Sequence, residues 1–326
     1  MQHEFEGRSG TARRHGPHLG YPGTTMRYAF LGPEGTFCEE ALLSFAPDAE
    51  GVPCIDVPTA LDEVRGGAVE AAVVPIENSV EGGVNATIDS LSHGEYLVII
   101  GEVLVPIQFQ LAGHAELHEI RSVGTHPHAY AQCRKWIHQV MPDAVHHPVG
   151  STAAGAKALA EGTADFDAAL CSRHSAQKYG LPLIAEDVAD NAHAVTRFAV
   201  VAKNGRIPAP TGADKTTLLV HLAHNESGGL LDMLEQFAVR GVNLSRIESR
   251  PIGDSLGRYA FSIDAEGHIT EERMKAVLIG LHRVCPLVRF IGSYPAADAP
   301  LTRLAPGTSD ADFDAARAWV EGLLES

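Results

Sequence analysis

The sequence predicts an α/β protein in two parts, a larger domain of alternating strands and helices followed by a smaller β-α-β-β-α-β unit. Three observations lead to this fold class. Apolar runs typical of buried strands alternate with helical segments from Arg27 to about Ala202. A segment rich in proline and glycine, "AKNGRIPAPTGADK", comes next. After it, strands and helices follow one another in the order of a ferredoxin-like split unit.

The first part is predicted to be a mostly parallel sheet whose strands are covered by helices. Short apolar runs predict strands, and apolar residues at intervals of three or four predict helices. The predicted strands are 27–32, 71–76, "SVGTH" and "AALCS", with long extended structure over 96–113. The predicted helices are 37–45, "VNATIDSLSH", 129–140 and 151–162.

The second part has four predicted strands and two predicted helices. The strands are 216–222, 243–251, "GRYAFSIDAEG" and 286–294, and the helices are 229–241 and 270–284. We therefore expect a disordered leader over 1–25, with Met26 as an alternative start, and a first domain over 26–203. A linker over 204–214, a ferredoxin-like domain over 215–295 and a tail over 296–326 complete the predicted organisation.

The tail contains one predicted amphipathic helix. Ser309 is a candidate N-cap, and the apolar residues that follow it share one helical face. We expect this face to pack against the chain itself, with a partner-binding role as the alternative. The face consists of Phe313, Ala316, Trp319, Val320, Leu323 and Leu324.

Composition and charge exclude several classes of function. The formal net charge is −16, which argues against a surface for nucleic acid or for an anionic membrane. The five cysteines are scattered and contain no CxxC pair, a pattern typical of reduced cytosolic thiols. No apolar run approaches the roughly 18 residues of a membrane span. The histidines between 114 and 147 lack carboxylates at ligand spacing, so we expect no metal site there.

Three predicted strands end in polar or glycine-rich turns that open helices. In the first turn, Thr36 and Glu39 fit a capping box, and the helix N-terminus there presents free N–H groups to an anion. In the second, Glu77, Asn78 and Ser79 supply a carboxylate, an amide and a hydroxyl. In the third, Ser151 and Thr152 lie at a helix start, where their hydroxyls can face a ligand. A purely structural turn or cap is the alternative at each place.

The stretch "HAVTRFAVV" (193–201) is an apolar strand interrupted by two polar residues. An unpaired guanidinium in apolar surroundings is costly, so Arg197 needs an anionic partner. If this strand returns to the first sheet, Thr196 and Arg197 reach the cleft where the three turns converge. Arg197 then supplies the positive charge that a small acid needs, by bidentate pairing.

In this order, these stretches resemble the prephenate dehydratase family of phenylalanine biosynthesis. The matching residues are "FLGPEGTF" (30–37), "VPIENSVEGGV" (74–84), "THPHAYAQC" (125–133), "YGL" (179–181) and "TRF" (196–198). In the second part, "ESGGLLDMLEQF" (226–237) and "NLSRIESRP" (243–251) resemble an ACT regulatory domain. The resemblance extends from about Arg27 to Tyr294.

The resemblance implies a catalytic domain of two lobes, like a periplasmic binding protein, with the active site in the cleft. It implies removal of carbon dioxide and water from prephenate to give phenylpyruvate, without a cofactor or a metal. The family's essential threonine corresponds to Thr196, which we expect to protonate or hydrogen-bond the departing hydroxyl, with Glu77 or a histidine sharing the role. The other residues implied at the site are Asn78 as catalytic and Arg197, Phe198, Thr36, Ser79, His128 and Ser151 as substrate-binding.

Three positions differ from the family pattern, and at the first of them Thr125 stands where the family usually has serine. His128 stands where the family usually has glutamine, and it adds a titratable group to the pocket, so we expect activity to fall between about pH 6 and 7. Gly229 replaces the usual alanine of the ACT motif, which is a small change.

For the second part, the resemblance implies phenylalanine bound between paired ACT domains, and hence at least a dimer. Dimer and tetramer both remain open. The residues implied to bind the effector are Gly228, Gly229, Leu230, Glu248, Ser249, Arg250 and Pro251.

The alternatives are an arogenate dehydratase, which accepts an amino group in place of the keto oxygen, and a two-lobed sensor of small acids or amino acids without catalysis. The absence of an export signal and the presence of Thr196 favour a cytoplasmic enzyme.

Overall fold

The computed structural model of the protein describes residues 26–80, 82–203, 205, 207–222, 227–251, 259–297 and 300–325. The leader predicted over 1–25 lies outside these residues. In the described part of the chain, no helix is long and apolar enough to cross a membrane.

The first lobe (lobe 1) contains a sheet in the order β5-β11-β3-β1-β2, with β4 paired to β3. Strand β1 runs parallel to β2 and β3, whereas β11 runs antiparallel to its two neighbours, β3 and β5. The prediction that the "TRF" strand returns to this sheet is therefore confirmed. The strands are β1 (Arg27–Leu31), β2 (Glu50–Cys54), β3 (Ala71–Asn78), β4 (Gly82–Gly83), β5 (Leu97–Pro106) and β11 (Val195–Lys203); the helices are α1 (Phe37–Phe45), α2 (Val57–Gly66) and α3 (Asn85–Ser92).

The second lobe (lobe 2) is inserted in the chain between β5 and β11. Its sheet has the order β10-β6-β9-β7-β8, with parallel β7-β8 and β7-β9 pairs. The strands are β6 (Gln110–Ala112), β7 (Ser122–Thr125), β8 (Val145–Pro148), β9 (Ala168–Cys171) and β10 (Leu183–Ala185); the helices are α4 (Pro127–Gln132), α5 (Arg134–Val140), α6 (Thr152–Ala160) and α7 (Arg173–Lys178), with a 3₁₀ turn at Leu117–Glu119.

The C-terminal unit follows the predicted β-α-β-β-α-β order. Its strands are arranged β13-β14-β12-β15, each antiparallel to its neighbours, which confirms the ferredoxin-like arrangement. The elements are β12 (Asp214–His221), α8 (Gly229–Ala238), β13 (Leu244–Pro251), β14 (Tyr259–Glu266), α9 (Glu272–Val284) and β15 (Leu287–Pro295).

The sheets of lobe 1 and the C-terminal unit are continuous. Strand β15 pairs in parallel with β5 where Gly292 lies opposite Ile99. At Gly292 the φ angle is +150°, and a Cβ atom there would lie 2.2 Å from the carbonyl oxygen of Ile99. Only glycine allows this approach of the two backbones.

The apolar core also crosses this junction. Alternate residues of β3 face opposite sides of the sheet, as expected for a strand with both faces covered. Ala72 and Val74 pack with α2 and α3, in a cluster that also contains Ile291 and Tyr294 of the C-terminal unit. Lobe 2 has a separate core around Leu111, Val123 and Leu170.

Besides the 3₁₀ turn, six elements of the first domain escaped prediction, namely the strands β2, β4, β8 and β10 and the helices α2 and α7. The signals for α2 were present in the sequence. Asp56 caps the helix by accepting a hydrogen bond from the Thr59 amide, Pro58 lies in its first turn, and Gly67 ends it with a φ of 75°. The helix predicted over 129–140 is divided at Cys133, and it begins earlier, at Pro127.

The tail forms the predicted helix, α10 (Asp310–Leu324), which begins with a capping box between Ser309 and Asp312. The prediction that its apolar face packs against this chain is wrong. Trp319 is 68% exposed and Leu324 is 83% exposed. One link to the rest of the chain is polar, a 2.6 Å ion pair from Arg317 to Glu272 of α9.

Candidate active site

A cleft of about 390 Å³ separates lobe 1 from lobe 2. Both lobes contribute to its walls, as the two-lobed prediction requires. Six of the residues predicted for the site line it: Thr36, Asn78, His128, Ser151, Thr196 and Phe198.

Thr196 and Asn78 form the polar centre of the lobe 1 wall. They are opposite each other in the β11-β3 pair, and the Asn78 Nδ2 donates to the Thr196 Oγ1 over 2.9 Å. The Asn78 Oδ1 in turn accepts from the Val80 amide at 2.8 Å, which fixes the orientation of the side-chain amide. A hydrogen bond accepted by the hydroxyl oxygen stabilises negative charge there and so makes the hydroxyl a better proton donor.

Helix N-termini supply the positive potential in the cleft. Thr36 caps α1 by accepting from the Glu39 amide, and Ser151 caps α6 by accepting from the Ala154 amide at 3.0 Å. Both caps line the cleft, so the free N–H groups of two nine-residue helices begin there. Among the described lining residues there is no lysine or arginine.

The expectation that Arg197 enters the cleft is therefore corrected. Side chains of successive strand residues point to opposite faces, so Arg197 points away from the side to which Thr196 and Phe198 point. It is 7% exposed on the reverse face, against the C-terminal unit. The same alternation removes Glu77 from the cleft, because Asn78 faces into it.

Arg197 forms three ion pairs with carboxylates on that reverse face. Its Nη2 lies 2.6 Å from Asp264, its Nη1 3.2 Å from Glu77 and its Nε 3.3 Å from Glu102, the last without hydrogen-bond geometry. Burial alone would lower the pKa of Arg197, but the surrounding groups, among them Tyr294, Asp264 and Glu102, raise it above its usual range. The guanidinium is thus a structural cation of the domain junction.

Ser79 also lies outside the cleft lining. Its Oγ accepts from the Val195 amide at 3.0 Å, and its own amide donates to the Val195 carbonyl at 2.9 Å. Ser79 therefore extends the pairing of β3 with β11 and holds the residue before Thr196 in place.

Several lining residues escaped prediction. Phe37 and Phe109 make an edge-to-face contact, with ring centroids 5.8 Å apart, and join the two lobes at the cleft. His126 makes an edge contact with His128 at 4.9 Å. The remaining residues of this group are Leu31, Gly32, Cys38, Ile55, Pro75, Ile107, Ala129, Gln132 and Gly150, while Thr152, which was considered together with Ser151, also lines the cleft. Several of them are next to a predicted residue in the sequence, and this proximity was the signal by which they could have been predicted.

The Cys38 thiol is a poor nucleophile, although it borders the cleft. It donates to the Val73 carbonyl at 2.9 Å, and burial raises its pKa to about 12. Among the described residues, no group of three or more histidines, cysteines, aspartates and glutamates is arranged to hold a metal ion.

Glu39 of α1 connects the two lobes beside the cleft. Its Oε1 lies 2.6 Å from the Lys178 Nζ and its Oε2 lies 3.0 Å from the His174 Nε2, both on α7. Burial would raise the pKa of Glu39, but the hydrogen bonds from Lys178 and His174 lower it overall. The predicted capping box is half formed, because the carboxylate binds the Gly35 amide at 2.6 Å.

The residues predicted to bind an effector lie on two elements of the C-terminal unit. Gly228, with a φ of 95°, caps α8, in which Gly229 and Leu230 form the first turn. Glu248, Ser249, Arg250 and Pro251 end β13, an edge strand of the sheet. In β13, Glu248 and Arg250 are half-buried, whereas Ser249 and Pro251 are exposed.

Comparisons with known proteins agree on one family. The family model described as prephenate dehydratase matches residues 28–206. A prephenate dehydratase from Amycolatopsis methanolica is 43% identical over 299 residues, which cover 91% of this chain and 97% of the relative.

Solved structures extend the similarity to both parts of the chain. The prephenate dehydratase of Arthrobacter aurescens in complex with L-Phe is 51% identical, with a TM-score of 0.87, covering 92% of this chain and all of the other. A chain described as the quorum quenching acylase GqqA is 28% identical, with a TM-score of 0.75, covering 83% of this chain and 98% of the other.

Proposed function

The chain belongs to the prephenate dehydratase family, and from this we propose that it converts prephenate to phenylpyruvate in the cleft between its lobes. The observation that carries the proposal is the Asn78–Thr196 hydrogen bond in the cleft wall. The reaction breaks the bond from the ring to its carboxylate and the bond to its hydroxyl, and it releases carbon dioxide and water.

The chain's own residues have a limited chemical task in this reaction. The electron pair left by carbon dioxide restores the aromatic ring as the hydroxyl departs, so the leaving oxygen needs a proton or a strong hydrogen bond. Thr196 donates it, and Asn78 stabilises the charge that develops on Oγ1. Glu77 is bound to Arg197, so we assign the assistance of Thr196 to His126 and His128, which also line the cleft.

The two carboxylates of the substrate are anions in a chain with a net charge of −16. We assign their binding to the N-termini of α1 and α6 and to the hydroxyls of Thr36 and Ser151. The apolar walls, including Phe37, Phe109 and Phe198, enclose the ring and exclude water. Exclusion of water strengthens each of these polar contacts.

The C-terminal unit is proposed to be an ACT domain that binds L-phenylalanine and inhibits the reaction. The A. aurescens relative, which aligns over the whole of its length, is in complex with L-Phe. The proposed effector residues are Gly228, Gly229, Leu230, Glu248, Ser249, Arg250 and Pro251. A second copy of the chain pairs with the open edge of β13, giving a homodimer or a tetramer.

We place the enzyme in the cytoplasm. All five cysteines are free and buried, as expected in a reducing compartment.

The test is phenylpyruvate formation from prephenate by the purified protein and by Thr196→Val, with and without L-phenylalanine. We expect the variant to lose about 10²–10⁴-fold in kcat, because valine keeps the shape of the side chain and removes the hydroxyl. Binding of prephenate without turnover by the folded wild type would instead identify a sensor.

Two substrates added in parallel decide the remaining alternatives. A higher kcat/KM with arogenate than with prephenate would make the protein an arogenate dehydratase. Acylase activity on a quorum-sensing signal, with no turnover of prephenate, would assign it the activity named for GqqA.

A further inference from the structure

Two pairs of neighbouring residues connect the cleft to the reverse face of the lobe 1 sheet. Thr196 and Asn78 face the cleft, and the next residue of β11 and the preceding residue of β3, Arg197 and Glu77, form an ion pair behind them. A register shift follows Arg197 in the β11-β3 pair. The position of Thr196 is therefore set in part by what holds Arg197.

A chain of ion pairs runs from Arg197 into the C-terminal unit. Asp264 of β14 binds Arg197 at 2.6 Å and also binds the Nε of Arg246 at 2.9 Å. The Nη1 of Arg246 then binds Glu248 at 2.9 Å. Because Glu248 is one of the proposed effector residues, these ion pairs connect the cleft wall to the effector segment.

The chain of ion pairs is held in a buried, well-defined arrangement. The Asp264 side chain is fully buried, and its second oxygen accepts from Thr217 at 2.7 Å. Arg197 and Arg246 side chains are each 8% exposed. Separating one member from its partner would leave a buried charge uncompensated, so the members shift together.

A second contact links the same effector segment to lobe 1. Arg250 hydrogen-bonds Asn85 and lies 3.4 Å from Asp89, both on α3. A Cβ atom on Gly83 would overlap the Glu248 carboxylate, which shows how closely β4 lies against that side chain. A movement of β13 would therefore change its contacts with α3 and β4 of lobe 1 directly.

We infer that Asp264 and Arg246 are positioning residues that couple the effector segment to Thr196 through Arg197. The inference rests on the proposed function, and it adds the route by which an effector acts. An amino acid bound beside Glu248 shifts the ion pairs of Arg246 and Asp264, and Arg197 carries that shift to the neighbouring Thr196. Effector and substrate then favour different arrangements of one chain of ion pairs.

The experiment compares Asp264→Asn with the wild type. The asparagine keeps the size of the side chain and its bond to Thr217, and it removes the charge that holds both arginines. The quantity measured is the ratio of kcat/KM without L-phenylalanine to kcat/KM at saturating L-phenylalanine. Calorimetry of L-phenylalanine binding verifies saturation in each protein.

We expect the wild-type ratio to lie between about 5 and 150, and the ratio for Asp264→Asn to approach 1 while L-phenylalanine still binds. Arg246→Lys, which keeps the charge but loses the planar fork, should give an intermediate ratio. This milder variant keeps the test available if Asp264→Asn does not fold. Glu272→Gln, which removes a carboxylate bound to Lys275 and Arg317, is the matched control and should keep the wild-type ratio.

A wild-type ratio in folded Asp264→Asn or, if that variant does not fold, in Arg246→Lys would overturn the inference and leave the dehydratase function standing. Wild-type turnover that L-phenylalanine does not affect would remove the coupling together with the proposed regulation. No turnover of prephenate by the wild type would remove the proposed function itself.

Discussion

The two junctions of lobe 1 differ in construction. Towards lobe 2, a few side chains meet across a cleft, chiefly Glu39 with Lys178 and His174, and Phe37 with Phe109. Towards the C-terminal unit, the sheet itself is continuous and the apolar core is shared. The difference teaches what a relative movement would disrupt at each junction: side-chain contacts towards lobe 2, but backbone pairing and a shared apolar core towards the C-terminal unit.

The largest effect is expected where the two sheets join. Gly292→Ala places a Cβ atom 2.2 Å from the Ile99 carbonyl oxygen at a φ of +150°. Overpacking and backbone strain together should lower the free energy of unfolding by about 2–4 kcal/mol. Urea denaturation of the full chain measures this change.

Gly322→Ala on α10 is the control for this substitution. No atom lies within 4 Å of the position that its Cβ would take. Alanine there should raise the stability by about 0.5–1 kcal/mol, since it favours the helix. Equal stabilities for the two alanine variants would refute the strain at the sheet junction.

A smaller effect is expected at the lobe 2 junction. Lys178→Met removes the cation that binds Glu39, and it should lower the free energy of unfolding by about 1–2 kcal/mol and raise the KM for prephenate. Arg173→Met on the same helix removes a pair with Glu186 whose two side chains are half exposed, and it should cost less than about 1 kcal/mol. An unchanged KM in Lys178→Met would show that the Glu39–Lys178 ion pair does not contribute to closure of the cleft on the substrate.

The same pair predicts a dependence of stability on pH. The pKa of Glu39 is lowered below its usual 4.5 in the folded protein, so its contribution is complete above pH 4.5 and is lost as the pH falls through the lowered pKa. The difference in unfolding free energy between wild type and Lys178→Met should therefore be constant above about pH 5 and shrink below pH 4.5. A difference that persists at about pH 3 would assign the effect to packing of the lysine stem.

The smallest effect concerns the cleft alone. His128→Gln replaces a lining imidazole by an amide, and we expect the change in kcat/KM between about pH 6 and pH 7 to become roughly 2–5-fold smaller than in the wild type. His146→Gln, at a histidine that stacks on Tyr130 and is not part of the cleft lining, is the control. Parallel pH profiles for the wild type and His128→Gln would exclude His128 from the pH response.

The sequence predicted the cleft but assigned one of its neighbours to the wrong face. The polar turns at strand ends identified Thr36, Asn78 and Ser151, and two of these, Thr36 and Ser151, are helix caps with a local signature. Arg197 was misplaced because a functional need for a cation was given more weight than the period of two in a strand. That period alone sets Arg197 opposite to Thr196 and Phe198.

The partners of Arg197 had no comparable local signature. Two of them are distant from Arg197 in the chain: Glu102 approaches through the pairing of β5 with β11, and Asp264 through the way β15 joins β5. The exposed face of α10 was mispredicted for a related reason, since periodicity identifies an apolar face but not what covers it.

The place of β11 has a consequence for how the protein is made. This strand is the last of lobe 1 to leave the ribosome, yet it pairs on both sides, with β3 and with β5. Until residue 203 has emerged, β3 and β5 have open edges, and all of lobe 2 has already been synthesised. Lobe 1 therefore cannot complete its sheet early during translation. The strand that carries Thr196 is also the strand that completes this sheet.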